Sequence, residues 1–129
     1  MKSLLIPLLV LLTLPSVVKS SHLNNQRKLT VTSESTKDSI ELAKYLKVNG
    51  VVKYSAYWCP NCLNQSELFG KQAYKEHNVV ECSRDFIDSQ TQLWIDKKIK
   101  GFPTWEINGK LILGILSLKE LSKLTGFKN

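Results

Sequence analysis

An α/β domain built on a mixed sheet is what this chain predicts, and three observations carry that expectation. Helix-type and strand-type apolar patterns follow one another in the order helix–β–α–β–α–β–β–α. Two cysteines spaced by two residues, Cys59-Pro60-Asn61-Cys62, stand where the first strand hands over to a helix. Asn108-Gly109 joins the last two strand-type runs, the strongest short-range signal for a hairpin. Strands separated by a helix pair in parallel and a hairpin pairs antiparallel, so the sheet must be mixed.

Residues 1–37 read as lying ahead of the domain. Met1-Lys2 is a positive start, Leu4 to Leu14 is almost wholly apolar, and Pro15-Ser16-Val17-Val18-Lys19-Ser20 resembles a cleavage region. That is the layout of a secretory signal peptide over 1–20. The apolar stretch is short and broken by Pro7 and Pro15, which disfavours a membrane span. Lys19 sits where cleavage sites carry small neutral residues, so an uncleaved N-terminal anchor is the alternative. Residues 21–37 are polar and predict a flexible leader, placing the domain at 38–129. Localisation is therefore expected outside the cytoplasm (periplasm, thylakoid lumen or secreted), where disulfides persist.

Within the domain, Asp38 or Ser39 caps a first helix with Ile40, Leu42, Ala43 and Leu46 on its apolar face, ended by Asn49-Gly50. Val51 to Tyr57 is rich in β-branched and aromatic residues and predicts a strand. A helix runs from Pro60, a favoured first-turn residue, to about Tyr74. A short strand at Val79–Cys82 precedes a helix over Ser89–Ile99 that uses Leu93, Trp94 and Ile99. The hairpin strands are Thr104–Ile107 and Lys110–Leu113. Ser117 opens the last helix with Glu120 as its capping-box partner, and Gly126 ends it.

Composition narrows the function classes. With 129 residues, 43% hydrophobic and 9% aromatic, the chain fills one small core, and three cysteines are too few for a disulfide-stapled miniprotein. The net charge of +7 is scattered except at Lys97, Lys98 and Lys100, which favours solubility over nucleic-acid binding.

Cys59 is the candidate nucleophile. Unpaired N–H groups and the dipole at a helix start favour negative charge, and the thiolate is the form of cysteine that attacks disulfides. Cys62, within one turn and less exposed, resolves the mixed disulfide that results. The redox group is then the Cys59–Cys62 disulfide itself, with no separate cofactor. A zinc knuckle would need two further ligands, and the sequence offers no second cysteine pair and no closely spaced histidines.

Tyr57-Trp58-Cys59-Pro60-Asn61-Cys62 resembles the active-site signature of the thioredoxin superfamily, and Gly101-Phe102-Pro103-Thr104 is similar to its cis-proline loop. A narrower resemblance covers roughly Ser39 to Phe127. It rests on Tyr57 to Pro60, Glu67 to Lys71, Val79 to Cys82 and Gly101 to Lys110. These resemble the thioredoxin-like domains fused to, or partnered with, bacterial and plant vitamin K epoxide reductase homologues. The chain carries no counterpart of the four-helix membrane reductase, which implies a stand-alone version.

The resemblance implies a thioredoxin fold with an extra N-terminal helix, and a cis Pro103 beside the cysteines that leaves the preceding backbone open to substrate. It implies that Pro60 and Asn61 tune the redox poise. Trp58 and Phe102 are expected at an apolar, substrate-binding rim, with Trp105 divided between rim and core and Trp94 in the core. Two positions depart from the pattern. Lys53 stands where many thioredoxins bury an acid that serves the resolving thiol; a charged lysine cannot be that base, although a desolvated one could, and Lys53 is expected to reach out to water. Cys82 lacks a partner one helix later and reads as a small buried hydrophobe or a thiol for intermolecular bonding. His22 and His77 are expected to face solvent. The expected function is an exported, monomeric thiol–disulfide oxidoreductase that acts on protein thiols in oxidative folding, recycled by a quinone-linked membrane oxidoreductase, with no nucleic-acid partner. The alternatives are an extracytoplasmic reductase, a glutaredoxin, and a non-catalytic module that binds a membrane partner or client.

Overall fold

The computed structural model describes residues 30–86 and 88–128. The expected signal over 1–20, the first part of the leader and His22 lie outside the described residues. Eight elements follow the anticipated order: α1 Lys37–Val48, β1 Val52–Ser55, α2 Pro60–Ala73, β2 Asn78–Glu81, α3 Thr91–Asp96, β3 Thr104–Ile107, β4 Lys110–Leu113 and α4 Leu118–Thr125. The strands are ordered β2-β1-β3-β4. β1 runs parallel to β2 and antiparallel to β3, and β3 pairs antiparallel with β4. This is a mixed four-stranded sheet in a thioredoxin-like α/β fold, with β1 central and its C-terminal end leading into Cys59.

Side chains alternate across β1, so its two faces enter different cores. Trp105 on neighbouring β3 packs with Leu42, Leu46, Phe69, Ala73 and Leu121. Tyr54 packs on the opposite side with Cys82 and Ile99, joined by half-buried Leu93, Trp94 and Phe102. Trp105 is therefore a core residue, 0% exposed, rather than part of a rim. Lys53 lies opposite Trp105 and Val79 in register. Because Tyr54 occupies the α3 side, Lys53 and Ser55 fall on the side covered by α2.

Several boundaries move. α1 is capped by Thr36, whose hydroxyl accepts from the Ser39 N–H at 3.0 Å; Asp38 and Ser39 lie inside the helix. Asp38 in the first turn still complements the helix dipole. α3 is shorter than the expected Ser89–Ile99 and buries none of its residues fully. β1 occupies only the middle of the expected Val51–Tyr57 run. Asn108 and Gly109 both take positive φ, 50° and 75°, as the tight hairpin requires. Ser117 and Glu120 form the reciprocal cap of α4, and Gly126 ends it at φ 77°.

The larger correction concerns the leader. Its described end, from residue 31, belongs to the folded domain. Val31 is 5% exposed. The Thr32 and Ser33 N–H groups donate to the Glu67 carboxylate at 2.8 and 2.9 Å, and the Lys71 N–H donates to the Ser33 carbonyl at 2.9 Å. The Ser35 hydroxyl donates to the Phe69 carbonyl and accepts from the Ala73 N–H. Gly70 makes room for this strap: its φ of 86° interrupts α2, and a Cβ there would sit 2.5 Å from the Ser35 nitrogen. The serines and threonines that look flexible by composition are the groups that tie the segment to α2.

Candidate active site

Cys59 is the N-cap residue of α2, with Pro60 in the first turn. Its backbone is extended (φ −84°, ψ 117°), so its side chain turns back over the helix start, and its sulfur accepts the Cys62 N–H at 3.3 Å. A serine or aspartate oxygen does the same in ordinary caps. Here the acceptor is sulfur, and negative charge on it is met by the open end of the helix. The Cys59 thiol also lies 3.5 Å from the Phe102 carbonyl, to which it donates. All three cysteines are free thiols.

The pair is almost closed off from solvent. Cys59 keeps 6% of its surface and Cys62 4%. Both pack with Ala56 beneath Phe102, which meets Trp58 edge-on at 6.4 Å between ring centres. Trp58 itself is 55% exposed, so an apolar ring stands at the approach to buried sulfur. The Phe102–Pro103 peptide is cis, and Pro103 is buried. Its carbonyl accepts from the Gly114 N–H at 2.8 Å. Pro60 and Asn61 are exposed. Burial pushes the Cys62 thiol up to about 12, against hydrogen bonds from Ser55 and the Ala56 backbone that favour its thiolate.

Behind the pair lies Lys53, and it does not reach water. It is 1% exposed, and its ammonium donates to the Ser66 hydroxyl at 3.0 Å. α2 and the sheet close over it, so the flexible stem has no route outward. Desolvation lowers its pKa to about 8, with thiolate charge on Cys62 and Cys59 acting in the other direction. Ser55, Ser66 and Cys62 line one recess of about 90 Å³; Lys53, Ser55, Ser66 and His77 line a second, larger cleft. The two serines escaped the sequence reading. Their spacing carries the signal: Ser66 is four residues beyond Cys62 on α2, and Ser55 is two beyond Lys53 on β1.

His77 is also buried rather than solvent-facing. It is 5% exposed and stacks on Phe69 at 4.8 Å. Burial and then the Lys53 charge bring its pKa down to about 3, so it is neutral. Cys82 is fully buried, its thiol pushed up to about 11 chiefly by burial, which suits a small core residue rather than a reactive thiol. Trp94 is half-buried and donates its indole N–H to the Ile99 carbonyl at 2.8 Å. Gln65, fully buried, was not anticipated. Its amide donates to the Leu116 carbonyl, while its oxygen accepts from the Leu116 N–H and the Trp105 indole. Among the described residues no cluster of three or more His, Cys, Asp and Glu side chains gathers into a metal site.

No protein-family model matches the chain. Over 100 residues it is 44% identical to the thiol-disulfide oxidoreductase LTO1 of Arabidopsis thaliana. The match takes in 75% of this chain and 27% of that protein, so the chain spans about a quarter of its relative's length.

Proposed function

We propose that this chain is a thiol–disulfide oxidoreductase whose working group is the Cys59–Cys62 pair. The observation that carries the reading is the cap: Cys59 sulfur, where a helix start stabilises negative charge, hydrogen-bonded to the backbone of the second cysteine and lying against the carbonyl of the cis Phe102–Pro103 peptide. The 44% identical relative, a thiol-disulfide oxidoreductase, supports the same class.

In the mechanism, Cys59 thiolate attacks a substrate disulfide, or a substrate thiolate attacks Cys59 of the oxidised pair. Either route passes through a mixed disulfide at Cys59 that Cys62 makes or resolves. Cys59 performs the outer step because it holds the cap, and Cys62 the inner one because burial keeps it protonated until needed. Trp58 and Phe102 offer apolar contact to the polypeptide around the substrate cysteine, beside Pro103. Pro60 and Asn61, exposed between the thiols, are assigned to setting the redox poise.

The finer reading is an exported protein, directed by 1–20, that oxidises folding proteins and passes electrons to a quinone-linked membrane oxidoreductase of the vitamin K epoxide reductase type. It rests on the apolar N-terminal stretch and on the motif resemblance. A trapping experiment tests it. Cys62→Ala should accumulate mixed disulfides through Cys59, and Cys59→Ser should lose both trapping and exchange activity. The identity of the trapped proteins separates secreted clients from a membrane partner. Full retention of function in Cys59→Ser would overturn the redox reading in favour of a binding module.

A further inference from the structure

A buried lysine directly behind a cysteine pair asks for a role. Lys53 is the only ionisable base brought from the central strand to the inner side of the site among the described residues, and no carboxylate there pairs with it. Its ammonium donates to the Ser66 hydroxyl at 3.0 Å. Ser66 and Ser55 line the recess against Cys62, and a recess of about 90 Å³ holds about two or three waters. Charge and chemistry around Lys53 come from four directions. Cys62 and Cys59 face it from α2, and neutral His77 from the segment before β2; Tyr74 and Lys75 line the adjoining cleft. Val79 and Trp105 flank it on the neighbouring strands. The sulfurs are the only groups among these that can bring it a negative charge, Cys62 doing so at the moment it leaves the disulfide as a thiolate.

We propose that Lys53 is the proton donor and acceptor of Cys62, acting through Ser66 and Ser55, and that its positive charge favours the reduced pair. The inference rests on the thiol–disulfide reading above. In the oxidising direction a substrate thiolate attacks Cys59; a bond forms between the substrate sulfur and Cys59, and the Cys59–Cys62 bond breaks. Cys62 leaves as a thiolate and takes a proton from the Lys53 ammonium. In reverse, neutral Lys53 takes that proton from the Cys62 thiol, which attacks Cys59 and expels the substrate thiolate. Cys62 is then oxidised and the substrate sulfur reduced, with charge and atoms conserved. Once solvent has returned a proton to Lys53, its ammonium behind a Cys59 thiolate holds the reduced form more firmly, and a pair whose reduced form is stabilised is the stronger oxidant. Desolvation places the titration of this lysine near 8, where both of its forms are available at cellular pH.

The test uses the full chain and its Lys53→Met variant, equilibrated in glutathione redox buffers and assayed for exchange with an oxidised peptide across pH 6–10. Lys53→Met should shift the pair toward its disulfide by about tenfold, about 30 mV, and should lose the wild-type inflection near pH 8. An unchanged potential together with an unchanged pH profile overturns the role of Lys53 while the wild type still exchanges and Cys59→Ser does not. A wild type that exchanges no disulfide overturns the underlying reading instead. Should Lys53→Met fail to fold, NMR titration of the Lys53 ammonium in the wild type decides the matter. It should titrate at higher pH in the reduced than in the oxidised protein, and identical titration in the two states overturns the proposal.

Discussion

At Gln65 one side chain serves three others: the Leu116 backbone through both its groups, and the Trp105 indole. The Trp105 indole is fully buried and Leu116 half-buried. Gln65→Ala should therefore cost about 3 kcal/mol, since each orphaned buried polar group costs about 1–3 kcal/mol; urea unfolding would measure it. His77 carries a different consequence. Its pKa falls from 6.5 in the open chain to about 3 in the fold, so the unfolded chain takes up a proton first as pH drops. Stability present above pH 6.5 is lost progressively toward pH 3. Glu67, also lowered, begins to contribute only below its ordinary 4.5. Between pH 6.5 and 4.5 the loss should thus be traceable to His77, and His77→Phe should flatten the urea midpoint over that window. Wild-type behaviour in the variant would refute the assignment. Lys53 acts at the other end. Its protonated form is disfavoured by burial, so its contribution to stability rises as pH climbs from about 8, until the buried Cys62 and Cys82 thiols, which stay protonated to about 12 and 11, reverse the trend above the ordinary thiol value of 9.

Among the elements, α2 does the most to build the site. Its N-terminus holds the cysteines, its second turn supplies Ser66 to Lys53, and its interruption at Gly70 accepts the 31–36 strap. Gly70→Ala meets two obstacles at once, a positive φ and a backbone contact at 2.5 Å, and should cost more than about 1 kcal/mol while leaving Cys59 in place. Release of the strap would be visible as faster amide exchange at residues 32–35. The strap is also acid-sensitive: hydrogen bonds from Ser33 and Thr32 hold Glu67 down to about 2, so its docking should persist until pH falls well below 4.5. At the far end of the chain the Ser117–Glu120 box predicts a loss of about 1 kcal/mol for Ser117→Ala, without effect on exchange rates.

At the scale of the molecule, redox state and folding are linked. If Lys53 stabilises the reduced pair, the same free energy must appear in unfolding, and Lys53→Met should lower the urea stability of the reduced protein relative to the oxidised one by about 1.4 kcal/mol for each tenfold change in the exchange equilibrium. An unchanged difference would contradict the proposed electrostatics. Much of this architecture was legible beforehand. The cysteine spacing, the Asn108-Gly109 turn, the Ser117 cap and the period of each apolar run are local signals, and local signals survive without knowledge of the neighbours. The element order and the mixed sheet followed from them. What the residues could not declare alone was whether a polar group would be taken inside. Lys53, His77, Gln65 and the serines of the strap all look fit for water by composition. Their burial depends on which surfaces close over them, α2 and the sheet in three cases and Gly70 in the last. Sequence by itself determined where the cysteine pair sits and which strand leads into it. Only the tertiary structure decided what stands behind it, because desolvation is a property of the packed surroundings and not of the side chain.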